Sequence, residues 1–144
     1  MKCYADTSFL FSYYASDANS SRADAWRQDH PVALPLTPLN RLELRNALEL
    51  AVFQKRLSAQ AVRETWAIIE SDLQSGLLTR TAFSGALFDE AELLAISHTA
   101  QVGLRSLDLL HIAAAQLTGA EELVTFDQRQ AALAARIGLK TFML

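Results

Sequence analysis

Five short apolar runs spaced along this chain limit its fold more than any other feature: Lys2 to Ala5, Pro31 to Leu36, Leu77 to Thr81, Leu123 to Phe126 and Leu139 to Met143. Lys2 to Ala5 reads as a short buried strand and the other four as short strands. The segments between them carry apolar residues at helical spacing, with recognisable starts and stops. Thr7 or Ser8 can cap a helix bearing Phe9, Leu10, Tyr13 and Tyr14, and a second helix covers about Ala18 to Gln28 with Trp26 on its inner side. Thr37-Pro38 pairs an N-cap with the residue best suited to the first helical position, opening a helix from about Leu39 to Gln54. Ser58 caps another to about Leu73, ended by Gln74-Ser75-Gly76, and a further one runs from about Gly85 to Gln101. Ser106 can cap a helix closed by Thr118-Gly119, and a short one covers Gln130 to Arg136. Strands alternating with helices predict an α/β fold of three layers, α/β/α, around a central parallel sheet of four to five strands.

At 144 residues the chain suits one domain, residues 1–144, and with only 5 Gly and 3 Pro it has little room for long loops. No apolar run nears the roughly 20 residues of a membrane span, and Asp6 comes too early for a signal peptide. The expectation is a soluble cytoplasmic protein with no membrane contact. Cys3, the single cysteine, has no partner for a disulfide and reads as a small core residue. The formal charge of −3, from 13 basic and 16 acidic residues, argues against coating nucleic acid by bulk charge. Setting aside Asp6, Glu43, Asp108 and Asp127 leaves 13 basic against 12 acidic residues, and the objection then largely disappears.

Those four acids carry the chemistry. Asp6 and Asp127 close the first and fourth strands, and in open parallel sheets ligands gather beyond the carboxyl ends of strands. Asp108 lies in the first turn of the helix Ser106-Leu107-Asp108-Leu109-Leu110-His111, whose apolar surroundings mark it as buried on nearly every side. It reads either as an acid placed for the helix dipole or as one aimed into a cleft. Glu43 falls inside the apolar arc of Leu39, Leu44, Ala47, Leu48, Leu50 and Ala51, so burial demands a cation, a metal or a strong hydrogen-bond partner. A buried ion pair with a distant arginine is the competing account. Carboxylates converging at one sheet edge would repel one another without a cation, and an all-oxygen set selects Mg²⁺ or Mn²⁺ over zinc. Such a site typically engages phosphate, which suits phosphodiester hydrolysis. Cys3, His30, His98 and His111 form no zinc spacing, and His111 reads as a packed, hydrogen-bonded core histidine. Asp89, Glu90 and Glu92 read as a solvated face, and the aromatic residues as core or subunit packing.

The runs ending in Asp6-Thr7-Ser8, Leu42-Glu43-Leu44-Arg45, Leu107-Asp108-Leu109-Leu110-His111-Ile112-Ala113 and Leu123-Val124-Thr125-Phe126-Asp127, in this order and spacing, resemble the PIN domain family, specifically the VapC-type toxins of toxin–antitoxin pairs. The resemblance covers essentially the whole chain. It implies that Asp6, Glu43, Asp108 and Asp127 are the acidic metal-binding positions, supported by Thr7, Ser8 and Thr125. It further implies a Mg²⁺- or Mn²⁺-dependent endoribonuclease, a homodimer, and a cognate antitoxin whose tail covers the active site. Asn40-Arg41 departs from the small or hydroxylated residues often found before the family's glutamate. Candidates for RNA contact are Arg41, Arg45, Lys55, Arg56 and Arg105; for Arg41 and Arg45 the alternatives are distant phosphates, a pair with Glu49 or plain solvation, with solvation ranked first. A haloacid-dehalogenase-like phosphatase would need an aspartate where Ser8 stands, and a receiver domain an acidic cluster beside its first strand. A degenerate PIN domain that binds RNA or protein without cutting is the rival from outside enzymology.

Overall fold

The computed structural model describes residues 2–143. In chain order the first half holds β1 (Cys3–Ala5), α1 (Thr7–Tyr14), α2 (Ser20–Asp29), β2 (Leu34–Leu36), α3 (Pro38–Phe53), α4 (Ala59–Ser75) and β3 (Leu78–Arg80). The second half holds α5 (Leu87–Leu94), a π-helical turn (Ala95–Thr99), α6 (Ala100–Val102), α7 (Ser106–Leu117), β4 (Glu122–Thr125), α8 (Gln128–Arg136) and β5 (Lys140–Met143). All five expected strands form and every pairing is parallel, divided between a three-stranded sheet, β1-β4-β5, and a two-stranded pair, β2-β3. Two units separate along the same line, one comprising the segment ending at Asp6 together with the chain from Ala82 onward, the other Thr7–Thr81.

In the first unit β4 is the central strand, buried along its whole length, and its register sets Tyr4 beside Leu123 and Ala5 beside Val124. Tyr4 and Leu123 share a face and pack with Leu109, Ile112 and Ala113 of α7, Leu87 and Leu94 of α5, and Leu133 of α8. Each fully buried leucine here contributes about 1.5–3 kcal/mol. α7 is buried on most sides, as its sequence predicts, and His111 is the packed histidine expected: Tyr4 Oη lies 2.8 Å from its Nδ1. The start of α7 differs from expectation. Ser106 is not the cap; Arg105 holds that position in extended geometry, and Asp108 reaches back to accept the Arg105 N–H at 3.0 Å. The helix expected over Gly85 to Gln101 begins at Leu87 and passes through the π turn before Gly103, at φ +72°, ends it.

Cys3 is buried, as expected, and its thiol donates to Glu122 Oε2 at 3.4 Å, while Lys140 Nζ lies 3.0 Å from Glu122 Oε1. Burial pushes the thiol up to about 11 from an ordinary 9.0, and the Glu122 hydrogen bond and charge push the same way. Ellman's reagent at pH 8 is therefore expected to leave the folded chain unlabelled and to titrate one thiol after denaturation. Because the unfolded chain gives up this proton more readily, the stability present below pH 9.0 is expected to fall as pH rises from there to about 11.

In the second unit the local start and stop signals hold. Thr37 caps α3 with Pro38 behind it, Ser58 Oγ accepts the Ala61 N–H to cap α4, and Gly76 closes α4 at φ +84°. Phe9 and Trp26 are core packing, meeting edge-on at 5.1 Å, and Trp26 stacks on His30 at 4.5 Å, whereas Phe53 is exposed. Leu50, placed by the helical wheel on the apolar arc, is exposed instead. Arg41 and Arg45 are not simply solvated. Arg41 pairs with Glu70 at 2.6 Å, Arg45 lies 3.6 Å from Glu49, and both guanidinium groups stand over the Trp66 ring, at 5.1 and 3.9 Å from its centre. The Arg41 hydrogen bond holds the Glu70 carboxyl below its ordinary range.

Candidate functional site

The parallel register explains how the first unit gathers its acids. With Ala5 opposite Val124, the next residues along each strand, Asp6 and Thr125, come side by side, and the Asp6 N–H bonds Val124 O at 3.3 Å. Both side chains are buried, and Thr125 Oγ1 donates to Asp6 Oδ2 at 2.7 Å. The same hydroxyl accepts the Asp127 N–H at 2.8 Å. Asp127 is the N-cap of α8, its Oδ1 accepting the N–H groups of Arg129 at 2.8 Å and Gln130 at 3.1 Å. Gln130 is only 5% exposed, and its Nε2 reaches Asp108 Oδ1 at 3.5 Å. Asp6, Asp108 and Asp127, far apart in sequence, are thus joined by one string of hydrogen bonds through Thr125 and Gln130.

Asp108 is 3% exposed and occupies the third helical position of α7, where the positive pole of the helix favours its charge. The Arg105 guanidinium stands 3.8 Å from Asp108 Oδ2, with Arg105 itself largely exposed. The acid satisfies the helix end, as the dipole account expects, and is also linked through Gln130 to Asp127.

In the second unit Glu43 is half-buried and its Oε1 accepts the Thr7 hydroxyl at 2.8 Å. Thr7 directly follows Asp6 in the chain, and Ser8 is half-buried in the same first turn of α1. Asn40, the departure from the family pattern, is wholly buried and has a clear task. Its Oδ1 accepts the Thr37 N–H at 3.1 Å and the Thr37 hydroxyl at 2.7 Å, while its Nδ2 points at Thr7 Oγ1 from 3.4 Å. It closes the cap of α3 and steadies the hydroxyl that holds Glu43. Asn40→Ala is expected to cost about 1–2 kcal/mol in a urea titration, because Thr37 loses its reciprocal partner. Of the other basic candidates, Lys55, Arg56 and Arg105 are exposed.

The donors fit a hard cation in chemistry: they are carboxylate oxygens, and beside Asp108 the Gln130 Oε1 is buried with no hydrogen-bond partner. Among the described residues no three His, Cys, Asp or Glu side chains stand close enough together to hold a metal ion between them. Gln130 and Asn40 were not singled out as site residues from the sequence. Each occupies the third helical position after its N-cap, so Asp127-x-x-Gln130 carries the spacing of a capping box. Asn40 completes its box. Gln130 does not, since Thr125 has taken the Asp127 N–H and the amide turns to Asp108 instead.

The chain belongs to the PIN domain family, whose model matches residues 3–136. Solved structures share the fold. They include VapC20 of Mycobacterium tuberculosis, described as a sarcin-ricin loop cleaving toxin, with TM-score 0.70 and 18% identity over 91% of this chain and 94% of that one. FitAcB from Neisseria gonorrhoeae is similar with TM-score 0.66 and 17% identity, covering 97% of this chain and 96% of that one. PAE2754 from Pyrobaculum aerophilum is similar with TM-score 0.63 and 19% identity, over 98% and 83%. A search of curated protein sequences returned no match.

Proposed function

We propose that this chain is a Mg²⁺- or Mn²⁺-dependent endoribonuclease, the toxin of a VapBC-type pair, in which Asp6, Glu43, Asp108 and Asp127 form the acidic centre. The observation that carries the reading is the hydrogen-bonded string Asp6–Thr125–Asp127–Gln130–Asp108, which links two acids beyond the carboxyl ends of β1 and β4 to a third in the first turn of α7. Within the second unit Glu43 is held by Thr7, the residue that follows Asp6 in the chain. The PIN family membership and the likeness to VapC20, described as a sarcin-ricin loop cleaving toxin, favour a nuclease over a binding module.

A divalent cation at this centre supplies charge neutralisation, activation of water and stabilisation of the leaving oxygen. The chain's own residues do the rest. Thr125 fixes the rotamer of Asp6, Arg105 and Gln130 fix Asp108, and Thr7 fixes Glu43, so the oxygens are preorganised before substrate arrives. The cap of α8 uses Asp127 Oδ1, which makes Asp127 the ligand most constrained by a structural duty. Partners under this reading are RNA, a second copy of the chain and a cognate antitoxin that blocks the centre. No helix among the described residues is long and apolar enough to cross a membrane.

Purified chain incubated with RNA is expected to cut it in Mg²⁺ or Mn²⁺ and to stop in excess chelator. Equal cleavage in chelator contradicts the cation; a folded chain that binds RNA without cutting in either cation contradicts the enzyme and supports the binding module.

A further inference from the structure

Gln130 is the residue of the first unit whose position the fold alone does not explain. A glutamine at the third position of a helix begun by aspartate has a local bond available to it, from its side chain back to the N-cap N–H. Here that N–H already bonds Thr125 Oγ1, and the Gln130 amide lies buried against Asp108 with Nε2 3.5 Å from Oδ1. Its Oε1 is buried and has no hydrogen-bond partner. An unpaired amide oxygen costs about 1–3 kcal/mol, a penalty a leucine of similar volume at this buried position would avoid. Its backbone N–H meanwhile bonds Asp127 Oδ1 at 3.1 Å, so one residue grips two of the three acids.

We propose that Gln130 is the positioning residue of the acidic centre, holding Asp108 through its amide and presenting its Oε1 as an acceptor for the hydration shell of the cation. The assignment rests on the reading of Asp108 as an oxygen donor to a divalent cation. Mg²⁺ keeps several waters when carboxylates bind it, and those waters need acceptors in a buried site. Groups that orient metal ligands from the outer shell change affinity by 10–100-fold when removed. Gln130 matches that description by contact, by burial and by its unpaired oxygen.

The test is Mn²⁺ affinity by calorimetry on the full chain for wild type, Gln130→Met and, as a matched control, Gln116→Met. Gln116 lies on α7 with an equally unpaired Oε1 but is not part of the hydrogen-bond string. Expected is an affinity about 10-fold weaker in Gln130→Met and unchanged in Gln116→Met. Wild-type affinity in a folded Gln130→Met overturns the role of Gln130 while leaving the cation in place. A wild-type chain that takes up no Mn²⁺ overturns the centre itself, and the role of Gln130 with it. A second measurement needs no variant. In the ¹⁵N-labelled wild type, the Gln130 side-chain amide resonance is expected to shift on Mg²⁺ titration with the same midpoint as the Asp108 backbone, and an Asp108 shift with a static Gln130 amide overturns the proposal.

Discussion

Asp6→Asn and Asp108→Asn are each expected to reduce RNA cleavage about 100-fold or more while the chain stays folded. The floor comes from outer-shell groups, whose loss already costs up to about 100-fold; a direct ligand should cost at least as much. The fold survives because each asparagine keeps the volume and one oxygen of the acid it replaces. In Asp6→Asn the Thr125 hydroxyl can rotate to suit the new amide. In Asp108→Asn the Gln130 amide can turn over, bringing its unpaired Oε1 to face the new donor. Circular dichroism and a melting curve check the fold beside the cleavage assay. Full activity in either folded variant contradicts the assigned roles.

Arg27→Leu is expected to produce the largest loss of stability in the second unit. Arg27 is 8% exposed, and its guanidinium donates to three carbonyls: His30 O at 3.2 Å, Val32 O, and Leu77 O at 3.0 Å. It ties the end of α2 to the approaches of β2 and β3, segments far apart in sequence. Leucine preserves the packing of the stem but leaves three carbonyls without a charged donor, and even with partial access to water the cost is about 3 kcal/mol. Arg63→Leu removes an exposed arginine bonded to Gln60 and is expected to change stability by less than about 0.5 kcal/mol. Urea titrations of the two variants give the comparison, and equal midpoints contradict the role assigned to Arg27.

The features legible in the sequence are those set by short stretches of chain. Thr37-Pro38, Ser58 and Gly76 declare helix ends through their own backbone and side-chain chemistry, and the runs that form β1 and β4 declare themselves by apolar side chains that are buried along the strand. The carboxyl-end positions of Asp6 and Asp127 follow directly from those runs. What stayed hidden depends on which distant elements meet. Arg41 faces Glu70 and Trp66 on α4, which no reading of α3 alone discloses. Glu122 fell just outside the apolar run and yet lies buried, because Cys3 and Lys140 on the flanking strands both reach it. Gln130 stands three residues after Asp127, the spacing of a local cap. Only the register of β1 on β4, which gives Thr125 the cap's N–H, releases it towards Asp108.

The central claim concerns where a cation sits, so the most direct measurement is an anomalous difference map from crystals of the chain grown with Mn²⁺. A single strong peak bonded to carboxylate oxygens of Asp6 and Asp108, at about 2.1–2.2 Å, is the predicted result. Both side chains held only by hydrogen bonds at saturating Mn²⁺, or a peak confined to other residues, would contradict it.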